Sequence, residues 1–514
     1  MAIDGDEVGA HGLRKTLSWR DGLAVAMVMP AGAVASYGYW ENSLGTWGVL
    51  TLLGISTVIA VLQAVIVAEL AGMFPEKPGG VALFAHEGWK RYTNVAGPLA
   101  AFGNWFGWSV VLALNGIVIG DLLQAQFFPG QTWGGVVHLP LFNLTWGFPQ
   151  LVATIVIIGV WLLNVLGARV LAVSSWVLGT LLMVPLGIFI LGPFVTGHFS
   201  AAHLHYHVTP SGAPGTDITL FIVWLYLMGW TTYGLEIVAT FTPEFRNPQR
   251  DFPRALRWCT IITASTFMLV PLATGGVLGD GKVAGEGAPG VFYKAVAEKI
   301  LGGGGGFIIL LLCAALILAM NSATADGGRV LYGMARDGLT LKWLHHLNKR
   351  RVPSRAMTVD LVVNILLVFF IANPVGIYAK ANLGYFVMMF FVLTGFLLLR
   401  KDRPSWPRPI RLGRVWIPVA IVLSALTVVL TLVGAWRTDL TGYGTKAQLG
   451  IGVGVLLLSV VLWLYRQRFE DRRPIQWRDR SVSDPSEHGH AAAGGAASSL
   501  APVPVDAIPA AREA

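Results

Sequence analysis

Charge is scarce in this chain. Asp, Glu, Lys and Arg make up 13% of its 514 residues, where soluble globular domains carry about 25%. With 54% hydrophobic residues and a mean hydropathy of +0.62, this excludes a string of soluble domains and points to one polytopic membrane bundle. Cysteine is scarcer still. Cys259 and Cys313 both fall in or beside apolar runs, so they offer neither a disulfide framework nor a metal set. The sequence has no H-E-x-x-H, no G-x-S-x-G and no cluster of acidic residues, which removes the signatures of a membrane-embedded enzyme acting on lipid. The glycine run 302–306 is not followed by Gly-Lys-Ser/Thr, so it is no phosphate loop, and no cofactor is expected. Residues 1–20 lack the charged start, apolar core and cleavage site of a secretory signal, and are expected to stay as a cytoplasmic tail.

What the chain has is long apolar runs. Those able to cross about 30 Å of hydrocarbon predict twelve transmembrane helices, at 22–43, 46–73, 97–127, 148–166, 169–194, 218–242, 257–278, 304–332, 356–373, 376–399, 413–436 and 448–466. Lysine and arginine test that count. With the N-terminus inside, only Lys282, Lys294, Lys299, Lys380, Arg437 and Lys446 of the 37 basic residues fall in outer loops. This positive-inside bias predicts a multi-pass protein of the cytoplasmic membrane with both termini cytoplasmic. It also accounts for the net charge of +9 without nucleic acid. Phe128 to Gly147, free of Asp, Glu, Lys and Arg, reads as an outer loop. Residues 289–301 place Phe292, Val296 and Ile300 on one helical face, which predicts a short interfacial helix. The transmembrane domain is expected over 21–470, followed by a disordered cytoplasmic tail over 471–514.

Two spans carry breaks. The middle of span one reads Met29-Pro30-Ala31-Gly32-Ala33-Val34-Ala35-Ser36, and span six contains Gly229 and Thr231-Thr232-Tyr233-Gly234. Proline removes a donor and glycine leaves a helix readily. In lipid, the freed backbone groups are tolerable only against protein or a wet cavity. Each break opens a five-span unit, 1–5 or 6–10, and such matched interruptions mark the substrate site of an inverted-repeat transporter. The candidate substrate-binding residues are therefore Pro30, Ala31, Gly32 and Ala33 with Thr231, Thr232, Tyr233 and Gly234. Half-helix N-termini would meet a carboxylate, and unwound carbonyls an ammonium or cation.

Three further stretches complete the pattern. Ala68-Glu69-Leu70, Pro75 and Gly79-Gly80 close span two. Gly234-Leu235-Glu236, Glu244, Asn247-Pro248 and Pro253-Arg254-Ala255 follow the span-six break. Arg329-Val330-Leu331-Tyr332, Ala335-Arg336-Asp337-Gly338 and Val352-Pro353 follow span eight. In this order over about residues 20–470, the chain resembles bacterial amino acid permeases of the amino acid–polyamine–organocation transporter superfamily. The resemblance implies an all-α polytopic membrane protein with a five-plus-five inverted repeat (LeuT-like), about 22–194 and 218–399, plus two C-terminal helices at about 413–466. It implies secondary transport by alternating access of an amino acid or related small amine, coupled to protons or sodium, with exchange and polyamine transport as alternatives. Two positions depart from the family. Its Gly-small-Gly break is here Pro30-Ala31-Gly32 or Ala31-Gly32-Ala33, and the span-five lysine of proton-coupled members falls on Leu182.

Single residues carry competing readings. Glu236 is either a proton carrier or a cap on the unwound backbone. Trp230 is a gate over the substrate or an interface residue, with Tyr226 beside it. Asn321, Ser322 and Thr324 stand where relatives place cation-coordinating hydroxyls, or else bond between helices. Asn104, Trp105 and Trp108 either line the cavity or pack span three. Asp326 reads first as an i, i+3 ion pair with Arg329, while Asp121 and Glu41 read as solvated span ends. His203, His205 and His207 alternate in an outer loop, but no fourth ligand completes a metal site.

Overall fold

Open backbone groups are excluded from hydrocarbon, and the chain accordingly folds almost wholly into helices. The computed structural model describes residues 13, 15–138, 143–206, 217–279, 289–370, 374–441 and 446–479. Among the described residues ten helices are long and apolar enough to cross a membrane. Two more spans bring the number to twelve. One is the broken first span, Trp19–Ala26 and Val28–Ala33. The other is span nine, Ser354–Phe370, at 17 residues. The helix Tyr37–Met73 holds both the end of span one and span two, kinked at Gly45 with φ 63°. One continuous buried apolar core joins the spans.

Packing explains why small residues recur along these helices. A methyl group on Gly384 of span ten would lie 2.8 Å from the carbonyl oxygen of Gly103 in span three. Only glycine permits the two backbones to approach so closely, which in lipid is what drives helices together. The helix read as interfacial is Pro289–Leu301, and its Phe292, Val296 and Ile300 are buried within the protein.

Two stretches differ from expectation. The loop read over Phe128 to Gly147 contains an antiparallel hairpin, β1 (Gly134–His138) and β2 (Asn143–Gly147). Val136, Val137, Thr145 and Trp146 are strand formers, and pairing of the two strands satisfies their backbone groups. At the other end, residues 471–479 of the expected tail are docked. The Asn94 amide and its Nδ2 donate to the Trp477 and Gln476 carbonyls at 2.8 and 2.7 Å, and the Asp479 amide donates to Lys90 O at 2.7 Å. Residues 480–514 lie outside the described residues.

Opposite the hairpin is a basic face, where the signature glutamates find their partners. Glu69, fully buried, accepts from Arg400 Nε at 3.0 Å and from the Leu412 amide at 2.8 Å, with Arg408 Nε at 3.3 Å. Glu244 and Arg329 form a buried two-pronged pair, with Nη2 to Oε2 at 3.1 Å. Glu87, on the short helix Gly80–Trp89 outside the spans, meets Lys77 at 2.7 Å, Lys90 at 2.9 Å and Arg403 at 3.1 Å. Burial alone would push the Glu87 carboxyl up, but Lys90 and Lys77 outweigh it and hold the group well below the usual carboxylate range. A depressed folded-state value means the cluster's stabilisation is fully present above the ordinary value of 4.5 and is lost as pH falls below it. Glu87→Gln is therefore expected to lower the thermal midpoint in detergent at pH 7 and to flatten its decline on acidification. An unchanged midpoint at pH 7 would remove Glu87 from the stability of this face.

Candidate substrate site

The site begins with two interrupted spans. In span one, Pro30 sits in the first turn of the six-residue helix Val28–Ala33, where its missing donor costs nothing. The next three residues tighten into i→i+3 bonds, Val34 N to Ala31 O at 3.3 Å, Ala35 N to Gly32 O at 3.1 Å and Ser36 N to Ala33 O at 3.0 Å. A new helix then starts at Tyr37. Its first amides form the positive end of a dipole.

In span six the helix Asp217–Thr232 stops, Gly234 takes a left-handed φ of 106°, and Leu235–Glu244 continues as a 3₁₀ helix. A side chain at Gly234 would be both strained and crowded, 2.5 Å from the Trp108 ring and 2.7 Å from Met29 Sδ. The break is thus narrower than Gly229 to Gly234. Gly229 lies inside the helix and accepts the Tyr233 amide at 2.9 Å.

Hydroxyls tie the two breaks together. Thr231 Oγ1 accepts from Trp40 Nε1 at 2.9 Å and lies 3.1 Å from Ser36 Oγ. Thr232 Oγ1 is 2.5 Å from Ser56 Oγ of span two. From span ten, Asn382 Nδ2 donates to the Tyr226 carbonyl at 2.8 Å.

These contacts enclose a cavity between both breaks. Span one lines it with Val28, Met29, Gly32 and Ala33, and span three with Gly107, Trp108 and Val111. Span six adds Trp230, Thr231 and Tyr233, and span ten adds Ala381, Asn382 and Tyr385. None of these is charged. A methyl group on Gly32 would meet no protein atom within 4 Å, so its backbone faces the cavity directly. Tyr385 stacks on Tyr233 with centroids 4.2 Å apart and donates its hydroxyl to Glu236. Glu236 is 1% exposed and is also hydrogen-bonded by the backbone of Gly234. It stands behind Tyr385, capping the new 3₁₀ helix, and does not line the cavity.

The predicted residues therefore divide. Gly32, Ala33, Thr231, Tyr233, Trp230 and Trp108 line the cavity. Pro30 and Ala31 are buried in the short helix, Thr232 braces span two, and Gly234 packs beneath Trp108. Asn321 and Ser322 lie elsewhere. Asn321 joins Asn164 at 2.8 Å to Ser174 at 3.0 Å, and Ser322 donates to Val25 O at 2.8 Å. Both serve interhelical bonding.

Asp326 does not pair with Arg329, because Glu244 takes that guanidinium. It accepts instead from Asn104 at 3.4 Å. Glu41 is no solvated end either, being 2% exposed and accepting from Thr274 at 2.8 Å. Asp121 is half-buried. His203 contacts the Gly276 carbonyl at 2.8 Å and the His205 carbonyl accepts the Trp47 amide. His207 lies outside the described residues.

Met29, Asn382 and Tyr385 were not foreseen. The signal for the last two was present: an Asn and a Tyr three apart, and so on one face of span ten.

On the basic face the start of the chain is tied to the end of span six. Leu17 forms a short strand bridge to Phe245, with amide bonds Leu17 N to Glu244 O and Arg246 N to Leu17 O, both 2.9 Å.

Residues 17–458 match the amino acid permease family. The chain is similar to an uncharacterized amino acid permease, YvbW, of Bacillus subtilis (strain 168). The two are 24% identical over 377 residues, or 71% of this chain and 78% of the relative. It is similar to the amino-acid permease RocE of the same organism, 24% identical over 401 residues, covering 73% and 76%. It is also similar to the polyamine transporter RMV1 of Arabidopsis thaliana, 26% identical over 371 residues, covering 71% and 68%. The chain belongs to the amino acid permease family, and it is a membrane transporter rather than an enzyme.

Proposed function

We propose that this permease carries a neutral amino acid with an apolar or aromatic side chain, by alternating access across the cytoplasmic membrane. The observation that carries this reading is the uncharged lining of the cavity, with Val28, Met29, Trp108, Val111 and Tyr233 around it. The substrate's two charges need only backbone. The helix start at Tyr37 supplies a positive end for the carboxylate, and the helix end at Thr232 a negative one for the ammonium. The apolar walls then take the side chain. A polyamine would need carboxylates in the wall, and Glu236, beside the break, is turned to Tyr385. The basic face is taken as cytoplasmic, since the Lys and Arg bias sets orientation. Leu17, near the start of the described chain, and Asp479 both lie on it.

Purified protein in liposomes tests the reading. Uptake of radiolabelled leucine and phenylalanine is expected, with leucine, methionine or phenylalanine competing about tenfold better than arginine, glutamate or putrescine, the discrimination an apolar pocket gives. Better competition by putrescine or arginine would overturn it.

A further inference from the structure

Away from the substrate site, a groove of about 640 Å³ runs between spans three, eight, nine and twelve. Trp343, Phe370, Ile451 and Leu458 of its lining are exposed, so it opens on the outside of the bundle. On span twelve it extends from Leu462 to Ile451, which at about 1.5 Å per helical residue is about 16 Å. Leu462 and Leu331, both in the lining, lie near the helix ends that reach the basic face. The groove therefore starts at that face and covers about half of a 30 Å hydrocarbon core, the depth of one leaflet.

Its rim on the basic face is not apolar. The Arg355 guanidinium lies 5.3 Å over the Trp343 ring, with Nη1 donating to the Trp343 carbonyl at 3.4 Å. An exposed tryptophan at a span end marks the headgroup level of a bilayer. Lys342, the residue before it, is exposed. Glu470 is close by, but it accepts the Lys342 amide at 2.7 Å and lies 3.6 Å from Arg466. Among the described residues neither the Lys342 ammonium nor the Arg355 guanidinium joins an ion pair. Thr340, two residues before Lys342, carries the one hydroxyl in the lining. It is fully buried, and its hydroxyl has no hydrogen-bond partner among the described residues. Such a group is costly to leave unmatched, so an occupant that brings an acceptor there is favoured.

We propose that this groove binds an anionic phospholipid, with an acyl chain along spans nine and twelve, an ester carbonyl at Thr340 and the phosphate at Lys342 and Arg355. Acyl chain, ester and phosphate follow one another in such a lipid as apolar wall, hydroxyl and cations do here. Arginine meets a phosphate with paired N–H donors, and lysine meets it as a point charge. A zwitterionic lipid brings its own cation to a rim that already holds two, so charge selects a headgroup without an amine. The bound lipid would tie span twelve, outside the two repeats, to spans three and nine within them.

The full-length protein in detergent is titrated with palmitoyl-oleoyl phosphatidylglycerol or with phosphatidylcholine of the same chains, and bound lipid is counted by native mass spectrometry. Wild type is expected to bind phosphatidylglycerol about tenfold or more tightly than phosphatidylcholine, the size that two cations near a headgroup give. Lys342→Gln/Arg355→Gln should bring the two lipids within about threefold of each other. Arg254→Gln/Arg257→Gln, exposed on the same face at the start of span seven, should leave the preference unchanged. Val455→Trp, which fills the groove, should weaken both lipids about tenfold, and Thr340→Val should weaken both about fivefold, as the loss of one hydrogen bond does. Equal binding of the two lipids by wild type would overturn the proposal. So would a preference that survives the Lys342/Arg355 change, or one that falls as far with the Arg254/Arg257 change. A protein dimer in the same spectra that Val455→Trp separates would overturn it too, by placing a second copy in the groove. Lys342 and Arg355 are at least partly exposed, so their variant decides the matter even if Val455→Trp fails to fold.

Discussion

Gly32→Leu is expected to abolish uptake while the protein stays folded. Gly32 is half-buried, and a Cβ there would touch nothing within 4 Å. A side chain therefore projects into the cavity and leaves the packing intact. The helix itself should tolerate the change, since glycine is about 1 kcal/mol less favourable than good helix formers. The loss falls on the substrate, which must share the space with a leucine side chain. Overpacking of a closed site costs about 1–3 kcal/mol, so the initial uptake rate below saturation is expected to drop about 100-fold. The thermal midpoint in detergent should match wild type. Gly32→Ala should lose less than tenfold by the same scale. Gly234→Ala is the contrasting control, because its left-handed φ and its contact with Trp108 make it a folding defect. Wild-type uptake by Gly32→Leu would remove the cavity from the transport route.

Much of this was legible from residue order. Long apolar runs placed the spans, and basic residues at alternate ends numbered them. Pro30 with Gly32, and Gly234 with its hydroxyl neighbours, marked both breaks because a break in lipid needs residues able to leave a helix. The partners across spans were not legible. A local i, i+3 rule assigned Arg329 to Asp326, whereas the 3₁₀ segment of span six carries Glu244 to that guanidinium. Span ten contributes Asn382 and Tyr385 from a continuous helix, so no break pointed to them. Glu41 was read as solvated from its place near a span end, yet Thr274 of span seven covers it. Each miss is a contact between helices, and helical periodicity says which face is apolar but not which neighbour covers it.

The Arg329–Glu244 pair is where the second large effect is expected, on stability rather than on rate. Both side chains are within 3% of full burial. Arg329 also donates to Ala325 O at 2.9 Å and lies 4.8 Å from the Phe241 ring. Removing one partner leaves the other charge buried and unpaired, which costs about 3–5 kcal/mol. Arg329→Met is therefore expected to lower the thermal midpoint in detergent sharply, and Glu244→Gln to do the same by stranding the guanidinium. The double variant is the informative one. With both charges gone the desolvation cost of the pair also disappears, so Arg329→Met/Glu244→Gln should be more stable than either single variant. Additive losses would mean that the two side chains act separately. The pair joins the span-six and span-eight signatures of the family and ties the 3₁₀ segment Leu235–Glu244 to span eight. A double variant that folds but leaks substrate in both directions would show that the ion pair is a latch on that face as well as a brace.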